Sequence, residues 1–267
     1  MTQREISYVE IDKIKLDPNN PRINFIHERF ENPDDPQIEL ELNDNTKKYN
    51  DLRNSILTFG GIFNPIVLSK KNKGEYICVE GNTRLSLFRE FSESTKEIID
   101  SNPNKWKKIP AMVFESDDIK QLEIIRLQAH LVGPREWPKI NKARYVYELM
   151  NETILTDDEI ASSVGGTMTS IRSLARGYEN YIKHFVPAAK GDVGDKKITG
   201  KFSGIEEYSA PRIQAAAKEH LGDDHWKQFT HWLMETETDR KKFRNMAQVR
   251  KLTDILHDDQ AREEFLS

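Results

Sequence analysis

The sequence predicts an α+β protein, a small α/β domain followed by an all-helical region that contains a helix-turn-helix. Three observations carry that expectation. Short β-branched runs alternate with helical periodicity up to residue 116, the strand signal then stops, and two short capped helices follow one another between Thr156 and Arg176. At 267 residues the chain is long enough for two modest domains with cores of their own.

Residues 6–16 alternate β-branched and polar side chains and stop at DPNNPR, where Pro18 and Pro21 beside two asparagines read as turn chemistry. Residues 25–45 are acidic and turn-rich and read as an inserted loop. In YNDLRNSILTF, Leu52, Ile56 and Phe59 recur at helical spacing, and Gly60 with Gly61 closes that helix. Ile66, Val67 and Leu68 read as a buried strand, KKNKG as a turn, and residues 75–79 as the returning strand. The chain then passes through Glu80-Gly81-Asn82-Thr83-Arg84 into a helix at 85–91, and a polar connection leads to a last strand, IPAMVF.

Beyond Asp117 only helices are expected. Residues 119–131 and 139–151 are helical, the second with Ile140, Ala143, Tyr147 and Met150 on one face, and GPREWP breaks the chain between them. Thr156 and Glu159 make a capping box ahead of Ile160, Ala161 and Val164; Gly165-Gly166 turns; Thr167 caps a second helix with Ile171 and Leu174 inward. This pair reads either as a helix-turn-helix or as an αα-hairpin inside a bundle. In the first reading Met168, Thr169, Ser170, Arg172, Ser173 and Arg176 lie near the exposed face, where they can meet bases and phosphates.

Residues 187–203 read as a glycine- and lysine-bearing linker, and helices are expected at 211–221, 226–234 and 239–265. The expected domains are therefore 1–116, 117–186 and 187–267. Trp226, Phe229 and Leu233 form one stripe, and Phe243, Met246, Val249 and Leu252 another, which is either core or an oligomer interface.

Composition sets outer limits. With 37% apolar and 31% charged residues, no apolar run near the roughly 18 residues of a membrane span and no signal-peptide core at the N-terminus, a cytoplasmic protein without a membrane partner is expected. A single cysteine, Cys78, excludes an internal disulfide and any multi-cysteine metal site. The net charge of -4 means that any DNA contact must come from a local patch. Residues 28–44 are acidic, whereas Arg172, Arg176, Lys183 and Lys190 share a stretch in which Glu179 is the only acid. His220, His225 and His231 lack the i, i+4 spacing of a helical zinc pair and have no cysteine nearby, so no metal site is expected from them.

The richest chemistry sits at Gly81. A strand that stops at glycine with a helix opening directly after it leaves backbone N–H groups at the positive end of a helix dipole, a setting that suits phosphate. Arg84 in the first helical turn opposes the dipole unless an anion lies between them. The alternative is a local Glu80–Arg84 ion pair on a solvated loop.

IKLDPNNPR, LRNSILTFGGIFNPIVL, EYICVEGNTRLSLFREF and KKIPAMVF, taken together, resemble the successive boxes of the ParB/sulfiredoxin N-terminal domain, and the helices after them are similar in order to those of ParB-type partition proteins. The resemblance covers residues 7–180. It implies that Gly81, Asn82, Thr83 and Arg84, with Arg22, contact the phosphates of a nucleotide triphosphate, CTP or ATP, with Mg2+. The ParB turn has the form Gly-Glu-Arg-Arg with a further arginine; here Asn82, Thr83 and Ser86 depart from it, and the sulfiredoxin cysteine is replaced by Asn82. The form EGNTR is closer to ParB-like kinases and restriction-type relatives, in which the acid, here Glu80, is catalytic as a base or through magnesium. The resemblance further implies that His130, Glu123 and Arg126 face the nucleotide. Thr169, Ser170, Arg172, Ser173 and Arg176 are the expected DNA contacts, and because one helix-turn-helix covers only a short half-site a homodimer is expected, with the Phe243, Met246, Val249 and Leu252 stripe as its candidate seam. The favoured function is nucleotide-responsive DNA binding with slow NTP hydrolysis. A nuclease or phosphotransferase acting at Glu80 and Arg84, and an adaptor with a vestigial pocket, are the alternatives.

Overall fold

The computed structural model describes residues 5–43, 46–71, 74–94, 104–114, 119–131, 138–152, 154–163, 166–236, 242–243 and 245–267. It is an α+β protein whose chain divides into two compact units, Met1–Glu136 and Trp137–Ser267. The first unit includes the helix at Ile119–Leu131, and the second holds the described helices that follow it; the expectation from sequence divides the chain at 116 and 186.

The first unit holds a five-stranded sheet of β1 (Ile6–Glu10), β2 (Ile14–Leu16), β3 (Ile66–Lys70), β4 (Tyr76–Glu80) and β5 (Lys108–Phe114), in the order β1-β5-β3-β4-β2. β1 runs antiparallel to β5, and β3 antiparallel to β4, while β3–β5 and β2–β4 are parallel. The strand expected over 6–16 is therefore two strands at opposite edges, separated by a 3-10 turn at Ile11–Lys13. Four inter-strand spacings of about 4.8 Å separate the edges of a flat sheet by about 19 Å, more than the roughly 14 Å that the connecting residues can span. The sheet must curl.

Alternation along the strands sends neighbours to opposite faces. Ile66, Leu68 and Cys78 join Leu85, Phe88, Phe91, Trp106 and Ile109 in the main core, and Val67 and Val79 meet Leu122 on the other side. The main face is covered by α3 (Asn82–Glu93) and by α1 (Asp35–Leu42), which buries Ile38 and Leu42; α4 (Ile119–Leu131) lies on the second face. α2 (Thr46–Phe59) ends at Gly60 in the left-handed conformation that a helix stop needs.

α1 corrects the expectation of a loop over 25–45. Asp34 and Gln37 form a reciprocal capping box, proline occupies the first turn, and Ile38 and Leu42 sit one turn apart. The acids that made the segment look like a solvated loop face a remote counter-charge: Arg89 on α3 pairs with Asp35 at 2.8 Å and Glu39 at 3.1 Å.

The second unit is helical throughout its described residues: α5 (Lys139–Glu152), α6 (Asp157–Ser163), α7 (Met168–Asn180), a π-helical turn at Tyr181–Phe185, α8 (Val186–Ala189), α9 (Lys196–Thr199), α10 (Phe202–Tyr208), α11 (Pro211–Leu221), α12 (His225–Met234), a 3-10 turn at Met246–Lys251, α13 (Leu252–His257) and α14 (Asp259–Leu266). Two expectations are overturned here. Residues 187–203 are not a linker, since Ile198 and Phe202 are buried and anchor short helices between the glycines. The helix expected over 239–265 is broken, because Asp258 adopts an extended conformation and caps α14 by accepting the Ala261 N–H at 2.8 Å.

The stripe of Phe243, Met246, Val249 and Leu252 belongs to the core of this unit. Val249 and Leu252 are fully buried, Phe243 meets the rings of Phe229, Trp232 and Phe265, and Met246 lies against Gly204, where a Cβ would be 2.7 Å from its sulfur. It is not available as the dimer seam that the sequence left open. Tyr208 and Phe229 stack nearly parallel at 3.7 Å nearby.

Candidate functional site

The turn between β4 and α3 is built around Gly81, at φ 99° and ψ 19°. A side chain there would be strained by the positive φ, and its Cβ would lie 2.4 Å from Ile66 Cγ2. Glycine is therefore fixed by backbone conformation and by the packing of β3. No side chain caps α3, and its first helical bond runs from Leu85 N–H to Gly81 C=O at 2.9 Å, so the N–H groups ahead of it have no intrahelical acceptor.

The side chains of the turn have partners within the protein. Buried Asn82 accepts the Asp17 N–H at 3.0 Å and donates to the Cys78 carbonyl at 2.8 Å, tying the end of β2 to β4. Thr83 is also buried, and its hydroxyl accepts from Arg22 Nη1 at 3.3 Å. Arg84 pairs with Glu80 and donates to the carbonyls of Asn64 and Pro65. The structure thus brings Arg22, Gly81, Asn82, Thr83 and Arg84 together, and of the two sequence readings of Glu80 and Arg84 it contains the local ion pair.

Beneath the turn lies an ionic group that the sequence did not show as a unit. Arg126 on α4 reaches Asp17 through Nε and Nη2, both at 2.9 Å, and pairs with Glu123 one turn away. Asp17 is 1% exposed and also accepts the Asn19 N–H at 3.1 Å. Burial pushes its carboxyl above the usual range, against the pull of the Arg126 guanidinium. Arg126 therefore addresses both Asp17 and Glu123, and the side chain of His130 lies outside the described residues. Cys78 is fully buried, with its thiol pushed well up by burial and donating to the Glu80 carbonyl at 3.3 Å. It behaves as an inert core thiol.

In the second unit both helix starts expected from sequence are present. Thr156 and Glu159 exchange hydrogen bonds at 2.9 and 3.3 Å, and Thr167 does the same with Ser170 at 3.0 and 3.2 Å. Val164 and Gly165, between the two helices, lie outside the described residues. The candidate DNA set on α7 is split by its surroundings. Thr169 and Arg172 are exposed, and Arg172 pairs with Asp157 at 3.1 Å. The hydroxyl of Ser170 is used by the cap, also donating to the Thr167 carbonyl at 2.7 Å. Ser173 and Arg176 are half-buried towards α10, where Arg176 donates to the Ser209 carbonyl at 2.9 Å and Ser173 approaches Glu206 at 3.5 Å. Gly177 permits that approach, since a Cβ there would lie 3.1 Å from the Glu206 side chain.

No family model matches the chain, and no curated protein does. Among solved structures it is similar to the C-terminally truncated chromosome-partitioning protein ParB from Caulobacter crescentus complexed to the centromeric parS site, at 16% identity and a TM-score of 0.42, covering 86% of this chain and 100% of that one. It is also similar to the truncated Caulobacter crescentus ParB complexed with CTP-gamma-S, at 19% identity and a TM-score of 0.29, covering 80% and 98%. Likeness of this degree does not carry residue roles from those proteins to this chain. No helix among the described residues is long and apolar enough to cross a membrane.

Proposed function

We propose that the chain is a cytoplasmic, nucleotide-responsive DNA-binding protein of the ParB-like type. The Gly81 turn holds the phosphates of CTP or ATP with Mg2+, and α6 and α7 act as a helix-turn-helix. The observation that carries the reading is the uncapped start of α3 behind a glycine that packing and φ both require, with Thr83, Arg22 and Arg84 around it. N–H groups without an intrahelical acceptor at a helix start, with the guanidinium of Arg22 on Thr83 and that of Arg84 beside Gly81, are the chemistry that binds phosphate. On binding, Arg84 would exchange Glu80 and two carbonyls for phosphate oxygens, releasing Glu80 towards the metal ion or the attacking water. Thr169 and Arg172 are the outward groups on α7 for bases and phosphates, and Ser170, Ser173 and Arg176 would flank them. One helix-turn-helix covers a short half-site, so the active form is a homodimer.

Calorimetry with each NTP and Mg2+ tests this directly. Arg84→Ala removes a charge-assisted phosphate contact, commonly about 1.5–3 kcal/mol, and should weaken binding about tenfold or more. In a DNA anisotropy titration, Arg172→Ala should lower the salt slope by about 1 if that residue meets a phosphate. Absence of NTP binding by the wild type at any condition would refute the reading. One observation favours a second one, an adaptor with a vestigial pocket: Asn82 and Arg84 are satisfied internally without a ligand. That reading gains if wild type and Arg84→Ala behave alike.

A further inference from the structure

Helices α11 and α13 converge at their C-terminal ends, and one ligand atom from each of Glu219, His220 and His257 lies within 4.8 Å of the other two. We infer that these three residues form a binding site for a divalent metal ion of the zinc class. The inference is independent of whether the Gly81 turn binds nucleotide.

Four features of the cluster support it. The ring of His257 contacts the Thr253 carbonyl through Nδ1 at 2.7 Å; a carbonyl only accepts, so Nδ1 carries the proton and Nε2 presents a lone pair. A histidine anchored by one ring nitrogen on a backbone carbonyl is the arrangement found at metal sites, where the second nitrogen is the ligand. His220 Nε2 is buried and has no hydrogen-bond partner among the described residues, although buried polar atoms are nearly always satisfied. The Glu219 carboxylate lies 3.9 Å from that same nitrogen, and both residues belong to the last turn of α11, while His257 closes α13. Two helix C-termini therefore direct their partial negative charge at one point, a field that favours a cation.

The guanidinium of Arg262 stands beside the cluster and donates from Nη1 to His220 Nδ1 at 3.4 Å, so the ring must move its proton from Nε2 to Nδ1 and give up this long contact for Nε2 to bind zinc. Its shorter contacts are to the Leu256 carbonyl at 2.7 Å and the Asp259 carboxylate at 2.5 Å, so its charge is engaged elsewhere. Two imidazoles and one carboxylate suit Zn2+ better than Mg2+ or Ca2+, which prefer all-oxygen sets. A tetrahedral ion with bonds of about 2.0–2.2 Å holds its donors about 3.4 Å apart, so the three side chains close by about 1 Å and leave the fourth position to water. Glu219 and His257 are exposed and can rotate to do so. The bound ion would link α11 to α13.

The full chain, freed of metal with a chelator that is then removed, is titrated with Zn2+ by calorimetry, and its thermal unfolding is followed with and without the ion. The expected result is one Zn2+ per chain and a raised Tm. His257→Ala and Glu219→Gln change exposed side chains, and each should weaken binding about tenfold or more and abolish the Tm increase. Wild-type affinity in both variants would place any bound zinc on other histidines and overturn the inference. So would the absence of binding at about 1 mM Zn2+, the weak end of the specific affinity scale.

Discussion

Replacing Arg126 by alanine should be among the most damaging changes available in the first unit. The guanidinium makes two 2.9 Å contacts to Asp17 and pairs with Glu123, and all three side chains are at most 11% exposed. Its loss leaves two carboxylates close together and away from water, with the Asn19 N–H as a local donor to Asp17. Breaking a buried ion pair from one side costs about 3–5 kcal/mol, most of it the uncompensated charge that remains. Urea unfolding at pH 7 should show that loss as a lower midpoint at unchanged slope.

The deficit should also depend on pH, and the sign is set by Asp17. Burial raises its native pKa above the unfolded value. Such a carboxyl favours the native state below its unfolded pKa, and that contribution is lost as pH rises through the native pKa. Without Arg126 the native pKa rises further, so the variant should lose more stability than the wild type between about pH 4 and pH 7. A deficit below about 1 kcal/mol at pH 7, or one that does not shrink on acidification, would refute the view that this group holds α4 to the sheet.

Three further outcomes follow from the geometry. Gly81→Ala adds left-handed strain of about 1–2 kcal/mol and overpacking of about 1–3 kcal/mol against Ile66; urea unfolding should show a loss of at least about 2 kcal/mol. Leu252→Ala should cost about 2–5 kcal/mol as a core cavity while sedimentation shows an unchanged oligomeric state, whereas dissociation of an oligomer would return the stripe to an interface. Cys78 should resist a thiol reagent in the native protein and react stoichiometrically in denaturant, because its thiol is buried and its pKa raised; rapid native labelling would contradict that placement.

Much of the candidate site was legible because its chemistry is local. Arg84 lies four residues from Glu80, Gly81 stands directly between its strand and its helix, and the caps at Thr156 and Thr167 close within three residues. What the residues of the turn hold was not legible. Asn82 looked like a phosphate contact, yet its amide bridges Asp17 and Cys78, and Arg176 looked outward-facing, yet it donates to Ser209. Neither partner leaves a periodic signal near the residue that uses it.

The sequence alone determined the α+β class, the β3–β4 hairpin, the helix that opens after Gly81 and the paired starts of α6 and α7, because hydrogen-bond geometry within a few residues depends on the residues themselves. Tertiary structure decided the rest. Residues 6–16 became two opposite sheet edges because β5 and β4 offered separate partners; residues 35–42 became a helix braced by Arg89. Ile198, Phe202, Val249 and Leu252 became core, and His220 met His257 instead of the histidines nearer to it in sequence. Each of these outcomes depends on burial and charge supplied from far along the chain, which only the folded arrangement brings within a few ångströms.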